Sequence, residues 1–327
     1  MIKLENAFEP IVLPRDEETK TKTPYGDLSK IGMNQCFEMG QKLRRRYDDH
    51  LENMHLNVFS SNYTRTQQSA RCGLLGMFSD PRYDLEQALV SIEPHSLPTI
   101  TVRRHQDDVI DMFNRHGPHM PRRVQQIIER DREMFKRKAK DLGLKRELMS
   151  KLVTEMPAYA SPLAWFNIAD TLLCVRSQNN VRPSLLSQEA LRHTDLANEY
   201  IQWRFQRYYE DPLMLRYAAG DLSLEMFTNM TDRKIDDSNN TVSCFWYSGH
   251  DVTIMPLLRA LDIWDGTWAS YASYVAVELH HHANVDEWEI RVVYNDKLLT
   301  TMPLDQWGQC VKKIHSASSD ATMLSPL

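Results

Sequence analysis

The first 27 residues carry little periodic pattern. Ile11, Val12 and Leu13 form a short apolar run pinched between Pro10 and Pro14, which supports no more than a weak strand. From Ser29 the period changes. Ile31, Met33, Cys36, Phe37, Gly40, Leu43 and Tyr47 recur at helical spacing. Ser29 is the N-cap candidate, and Arg44, Arg45 and Arg46 suit the negative C-terminal end of the helix dipole. Residues 56–59 then predict a strand, Ser60, Ser61 and Asn62 a turn, and Thr64 opens a helix through Ala70, Leu74 and Leu75.

Residues 129–146 crowd charges around Phe135, Leu142 and Leu144, the pattern of exposed helices with a solvated face. Pro157 and Pro162 break that pattern. Residues 196–226 are helical again, and their aromatics Tyr200, Trp203, Tyr208 and Tyr209 read as core. Residues 242–247 predict a buried strand, Ser248-Gly249 a turn and residues 252–261 an apolar helix. Residues 274–279 and 288–294 alternate as a hairpin. The fold class is therefore α/β: a core at 1–81 and 186–327, split by a helical cap insertion at 82–185.

Composition narrows the function classes. The chain has 327 residues, long enough for a sizeable core without covalent staples, and a formal net charge of −5, which asks for neither nucleic acid nor an anionic membrane. Neither GxxxxGK[ST] nor GxGxxG occurs, so nucleotide binding through those loops is excluded. Five scattered cysteines without a CxxC signal no zinc ribbon and no disulfide framework. The first residues lack the apolar stretch of a signal peptide. The most apolar stretch, 163–175, holds Asn167 and Asp170 and is too short and polar to span a bilayer.

Two segments place charge where a strand hands over to a helix, the position at which open α/β sheets bind ligands. In the first, Ser60 to Thr66, Arg65 falls in the first turn of its helix. A guanidinium beside helix N–H groups suits a phosphate, although a surface arginine paired with a carboxylate reads the same way. In the second, Tyr247 to Thr253, His250 is placed to donate to a phosphoryl oxygen and Asp251 to protonate a leaving alkoxide. A plain helix cap is the alternative. His280, His281 and His282 follow a strand, but successive strand residues face opposite ways, so no metal site is expected there. Asn229-Met230-Thr231 and Asn239-Asn240-Thr241 are glycosylation sequons, meaningful only in an exported protein.

Taken together, the segments resemble the histidine acid phosphatases, the branch of the histidine phosphatase superfamily with a helical cap. Residues 26–35 are similar to the family's GQLTxxGMxQ helix start and residues 39–47 to its LGxxLRxRY pattern. Arg65 falls on the family's third phosphate-binding arginine and His250-Asp251 on its HD pair. Residues 250–258 and the hairpin after them are most similar to the lysophosphatidic acid phosphatases.

The resemblance implies a phosphoglycerate-mutase-like core: a mixed, mostly parallel sheet flanked by helices. It also implies phosphomonoester hydrolysis through a phosphohistidine, with arginines neutralising the phosphoryl oxygens and no cofactor or metal. The expected partner is a phosphorylated small molecule or a lysophospholipid. The implied compartment is mitochondrial, lysosomal or secreted, or cytoplasmic should Met1 be the true start.

One departure stands out. The family's nucleophile lies in an RHGxR motif before the GQLT helix, and residues 1–28 contain no histidine. Arg115-His116-Gly117 repeats those letters, but it follows Arg65, and the acidic residues 107–114 before it have a helical period rather than that of a buried strand. The expectation is a phosphatase that lost its first strand and nucleophile to truncation, with a non-catalytic phosphate-binding relative as the alternative.

Overall fold

A computed structural model of the chain describes residues 11–12, 27–111, 121–144, 165–177, 192–235 and 242–316. They fall into two compact units. The described residues of the first are 11–12, 27–111, 215–235, 242–264 and 269–316, and those of the second 121–144, 165–177, 192–214 and 265–268.

The first unit starts with β1 (Ile11–Val12) and α1 (Lys30–Tyr47). Ser29 caps α1 by accepting the Gly32 N–H at 3.2 Å, and Arg44 to Arg46 occupy its last turn. β2 (Met54–Ser60) leads through a tight turn into α2 (Thr64–Phe78). α3 (Leu85–Ser91) and β3 (Ile100–Val102) follow. α1 and α2 pack closely because glycines line their crossing: a Cβ on Gly40 would lie 1.9 Å from the Gly73 carbonyl oxygen. Met33, Phe37, Val58, Leu74, Leu75 and Ile100 form the core beneath them.

β3 places residues 100–102 in the sheet, so the stretch from 82 to 111 lies with the first unit and not with the helical insertion assigned from sequence. Three residues, two of them apolar, are too short a run to show as a strand without a neighbour. The helical period read at 107–114 is not followed over its described part, 107–111. His105–Asp107 is one 3₁₀ turn, and Asp108 to Asp111 run on without regular structure, held by side-chain bonds. The Arg115-His116-Gly117 stretch lies outside the described residues.

The second unit carries α4 (Arg122–Asp141), α5 (Trp165–Ser177) and α6 (Thr194–Glu210). Phe135 meets Trp203 and Tyr208 edge to face at 5.8 and 5.1 Å, and Tyr208 and Tyr209 are buried. These aromatics are core, as their spacing predicts.

Back in the first unit, a π turn (Arg216–Gly220) feeds α7 (Asp221–Ile235). β4 (Val242–Ser248) then leads into α8 (Asp251–Ala260). The first sheet has the order β1-β3-β2-β4, all parallel, with Phe59 opposite Tyr247 and Ser60 opposite Ser248. β4 is not the buried strand its composition suggests. Among the described residues it pairs on one side only, and Val242 and Phe245 are exposed.

β5 (Val275–His282), β6 (Glu287–Tyr294) and β7 (Lys297–Pro303) make an antiparallel meander. Asn295 and Asp296, both at positive φ, turn β6 into β7. α9 (Leu304–Ser316) and α8 cover this sheet through Trp307, Val311, Leu257 and Leu258. Neither β7 nor α9 was read from the sequence.

Candidate functional site

The site forms where β2 and β4, neighbours in the sheet, both end. The Ser61 N–H donates to the Ser248 carbonyl at 3.1 Å, so the two turns leave the sheet side by side. Thr66 then fastens the first turn. Its hydroxyl has the Tyr63 and Ser61 carbonyls, at 2.9 and 3.1 Å, as acceptors for its one proton and receives the Ser60 hydroxyl, while the Ser248 hydroxyl donates to the Thr66 carbonyl at 2.7 Å. These hydroxyls are buried, so the bonds between them fix rather than solvate the turn.

The second turn needs Gly249: a Cβ there would meet the Ile110 side chain at 2.4 Å and the Thr253 hydroxyl at 2.8 Å. Thr253 accepts the His250 N–H at 3.1 Å and donates to the Ile110 carbonyl at 2.6 Å, which pins the loop after β3 against the start of α8.

These constraints bring Arg65 and His250 together, although 185 positions separate them. The Arg65 guanidinium lies 4.3 Å over the Tyr63 ring, and that ring meets the His250 imidazole edge to face at 5.1 Å. His250 Nε2 is 2.9 Å from the Ser61 hydroxyl and 3.8 Å from Asp111 Oδ2. Burial pushes the His250 imidazole down to about 4, with Asp111 opposing the shift and the Arg65 charge adding to it. At neutral pH the ring is uncharged, so its approach to Asp111 is not an ion pair. His250 is itself the N-cap of α8, and Asp251 follows as the first helical residue, accepting the Val252 N–H at 2.8 Å.

Reading the sequence missed Ser61 as a partner of His250, and Tyr63, Asp108 and Asp111 altogether. Asp108 accepts the Ile110 N–H at 2.8 Å and is almost fully buried. Burial lifts its carboxyl from an ordinary 3.8 to about 7, and the charge of Asp111 adds to the rise. The only signal was two aspartates three apart in an acidic run, indistinguishable from a solvated helix face.

These two titrations pull stability in opposite directions. Asp108 has a raised folded pKa, so its contribution is complete below pH 3.8 and is lost as pH climbs through about 7. His250 has a depressed one, so its contribution is complete above pH 6.5 and is lost as pH falls through about 4. Asp108→Asn should remove the first and keep the second. Its melting temperature relative to wild type should rise by several degrees between pH 4.5 and 7.5, a few kcal/mol at most. A difference that stays flat with pH would contradict this assignment.

Each ring of the histidine triplet lies beside its own carboxylate. His280 pairs with Glu278, His281 with Asp286 while stacked on Trp288, and His282 with Glu289. Among the described residues no group of three metal-ligating side chains forms, and none of the five cysteines is in a disulfide. No described helix is long and apolar enough to cross a membrane. The side chain of Asn229, the first sequon, donates to the Tyr247 hydroxyl at 3.2 Å, and the second sequon lies outside the described residues. A surface depression lined by Lys42, Arg45, Arg46 and Asp296 shares no residue with the site.

The family model of the histidine phosphatase superfamily (branch 2) matches residues 5–295. The chain belongs to that superfamily. Among curated relatives of this histidine phosphatase, it is 27% identical over 275 residues to putative acid phosphatase 5 of Caenorhabditis elegans, covering 82% of the chain and 62% of the relative. It is 26% identical to bovine lysosomal acid phosphatase, covering 82% and 63%. With bovine lysophosphatidic acid phosphatase type 6 it shares 25% identity over 327 residues, covering 91% and 70%. The chain thus spans roughly two thirds of the length of these relatives.

Solved structures share the fold. The Citrobacter braakii phytase superposes with a TM-score of 0.56 at 12% identity, covering 96% of this chain and 93% of that one. The Klebsiella phytase gives 0.56 at 13%, covering 99% and 93%. The sheet flanked by helices that the family resemblance implies is therefore the fold of this chain.

Proposed function

We propose that this histidine phosphatase-family chain binds the phosphoryl group of a phosphorylated small molecule or lysophospholipid between Arg65 and His250. The observation that carries this reading is the convergence of those two side chains through the Tyr63 ring at the ends of β2 and β4. Arg65 supplies the positive charge and planar donors that match phosphoryl oxygens. His250, uncharged at neutral pH, presents Nε2 as a hydrogen-bond donor or acceptor according to its tautomer, with Ser61 as the exchangeable partner. Asp251, at the first turn of α8, is the proton donor to a leaving alcohol in the hydrolytic cycle of the family.

Phosphomonoester hydrolysis is the activity of the lineage, and the relatives named as acid phosphatases support it for this chain at that level. Residues 1–28 hold no histidine to form a phosphoryl-enzyme. Loss of a covalent nucleophile costs on the order of 10⁶-fold in rate. Binding without appreciable turnover is therefore the behaviour we assign to these 327 residues. Lysophosphatidic acid is the substrate class suggested by the relative of that name.

The test pairs calorimetric titration with inorganic phosphate against p-nitrophenyl phosphate turnover, both at acidic pH. We expect phosphate to bind, Arg65→Ala to weaken it by about tenfold or more, and turnover to stay near background. Phosphate affinity unchanged by both Arg65→Ala and His250→Ala would overturn the site. Turnover abolished by His250→Ala would show that the chain is an active enzyme after all.

A further inference from the structure

The Ser61 hydroxyl carries one proton, and two neighbours can take it: Thr66 Oγ1 at 3.0 Å and His250 Nε2 at 2.9 Å. Where that proton goes decides which ring nitrogen of His250 bears a hydrogen.

Thr66 settles the choice. Its nearest oxygen is the Tyr63 carbonyl at 2.9 Å, which can only accept. Two oxygens at that distance with no hydrogen between them repel, so the Thr66 proton lies on the carbonyl side. The Ser61 carbonyl, at 3.1 Å, is its other acceptor there. Thr66 Oγ1 is thus an acceptor towards Ser61, and the Ser61 proton points at Thr66. Only the imidazole can then supply the hydrogen in the contact between Ser61 and Nε2. Ser61 and Thr66 are buried, at 0% and 3% exposure, so bulk water does not rearrange these bonds.

Resting on the phosphoryl-binding reading above, we infer that Ser61 is a positioning residue that holds neutral His250 as its Nε2–H tautomer, a donor to a phosphoryl oxygen. The opposite tautomer would turn a nitrogen lone pair towards the ligand's own lone pairs. Asp111 Oδ2, 3.8 Å from the same nitrogen, also faces an N–H dipole favourably. When the ligand arrives, the Nε2–H passes from Ser61 to the phosphoryl oxygen. Ser61 keeps Thr66 as the acceptor of its own proton, so the exchange strands no buried N–H or O–H. The ring donates without the charge that its burial disfavours.

Nitrogen-15 NMR of the imidazole reads the tautomer directly. In wild type at pH 7, with the signal assigned by its loss in His250→Gln, we expect a protonated Nε2 and a bare Nδ1. Thr66→Val removes the acceptor of the Ser61 proton. That proton should turn to Nε2, move the ring hydrogen to Nδ1 and weaken the binding of inorganic phosphate by about tenfold in calorimetric titration. Adding Ser61→Ala to Thr66→Val leaves neither hydroxyl to donate to Nε2, and phosphate affinity should return to within about threefold of wild type. A turn merely loosened by lost hydroxyls would bind more weakly still in the double variant.

A wild-type ring with its hydrogen on Nδ1 would overturn the inference without needing any variant to fold, as would a double variant that binds no better than Thr66→Val. Either result alongside Arg65-dependent binding leaves the phosphoryl site intact. Failure of phosphate to bind wild type at all, or binding indifferent to Arg65→Ala, would remove both readings.

Discussion

Gly40→Ala should unfold this protein at a markedly lower denaturant concentration, although alanine is the better helix former by about 1 kcal/mol. The cause is the crossing of α1 and α2. A Cβ at Gly40 would stand 1.9 Å from the Gly73 carbonyl oxygen, 2.8 Å from its carbonyl carbon and 3.0 Å from its Cα, all of them backbone. Backbone cannot rotate away, so the helices must separate. Separation loosens the contacts of Phe37, Cys36, Leu74 and Leu75, all buried in one cluster. Overpacking costs about 1–3 kcal/mol when side chains can adjust. Here they cannot, and a loss of about 3 kcal/mol or more is expected.

Gly76 poses the same constraint, with a Cβ 2.0 Å from the Phe37 carbonyl oxygen, and Gly76→Ala should behave alike. Gly220→Ala is the control, because its nearest neighbour is the flexible Arg216 side chain at 3.2 Å. Urea unfolding of the three variants decides the matter. A Gly40→Ala midpoint equal to that of wild type would mean that the helices do not cross this closely.

The second large effect is expected at Arg103. Its guanidinium grips Glu225 with two bonds of 2.6 Å and lies 4.3 Å over the Phe59 ring, itself stacked on Tyr247 at 5.5 Å. The Tyr247 hydroxyl donates to the same carboxylate at 2.7 Å. One guanidinium thus ties the end of β3 to α7 and to the last turns of β2 and β4, just below the site. Both charges are largely screened from water, at 17% and 27% side-chain exposure.

Removing one charge strands the other, so Arg103→Ala should cost about 3 kcal/mol. Replacing both partners by methionine should recover most of that loss, because a buried pair repays little beyond its own desolvation. Thermal melts of Arg103→Ala, Glu225→Ala and the double methionine variant measure this. A double variant as unstable as either single one would show that the ring contacts, not the charges, carry the network. Phosphate affinity should fall in Arg103→Ala as well, since β3 positions the loop of Asp108 and Asp111.

Local pattern was enough wherever an element announces itself along the chain. The Ser29 cap, the glycine-lined α1, the junction at Arg65 and the junction at His250 were legible because caps, helical period and turn residues are short-range signals. The family follows from several such motifs in one order, and with it the fold. Three-dimensional packing decided the rest. β3 is three residues long and becomes a strand only between β1 and β2. β4 is apolar in composition yet borders the described sheet, a fact of strand order and not of its residues.

Asp108 and Asp111 look in sequence like any acidic surface run. The Gly249 turn and the Thr253 bond to the Ile110 carbonyl bring their loop against the start of α8, with Asp111 3.8 Å from His250 Nε2. Residue type and spacing therefore pointed to Arg65 and His250 as the candidate anion-binding pair. That Asp111 stands beside His250 depended on contacts between residues some 140 positions apart, and the chain's periodicity holds no record of them.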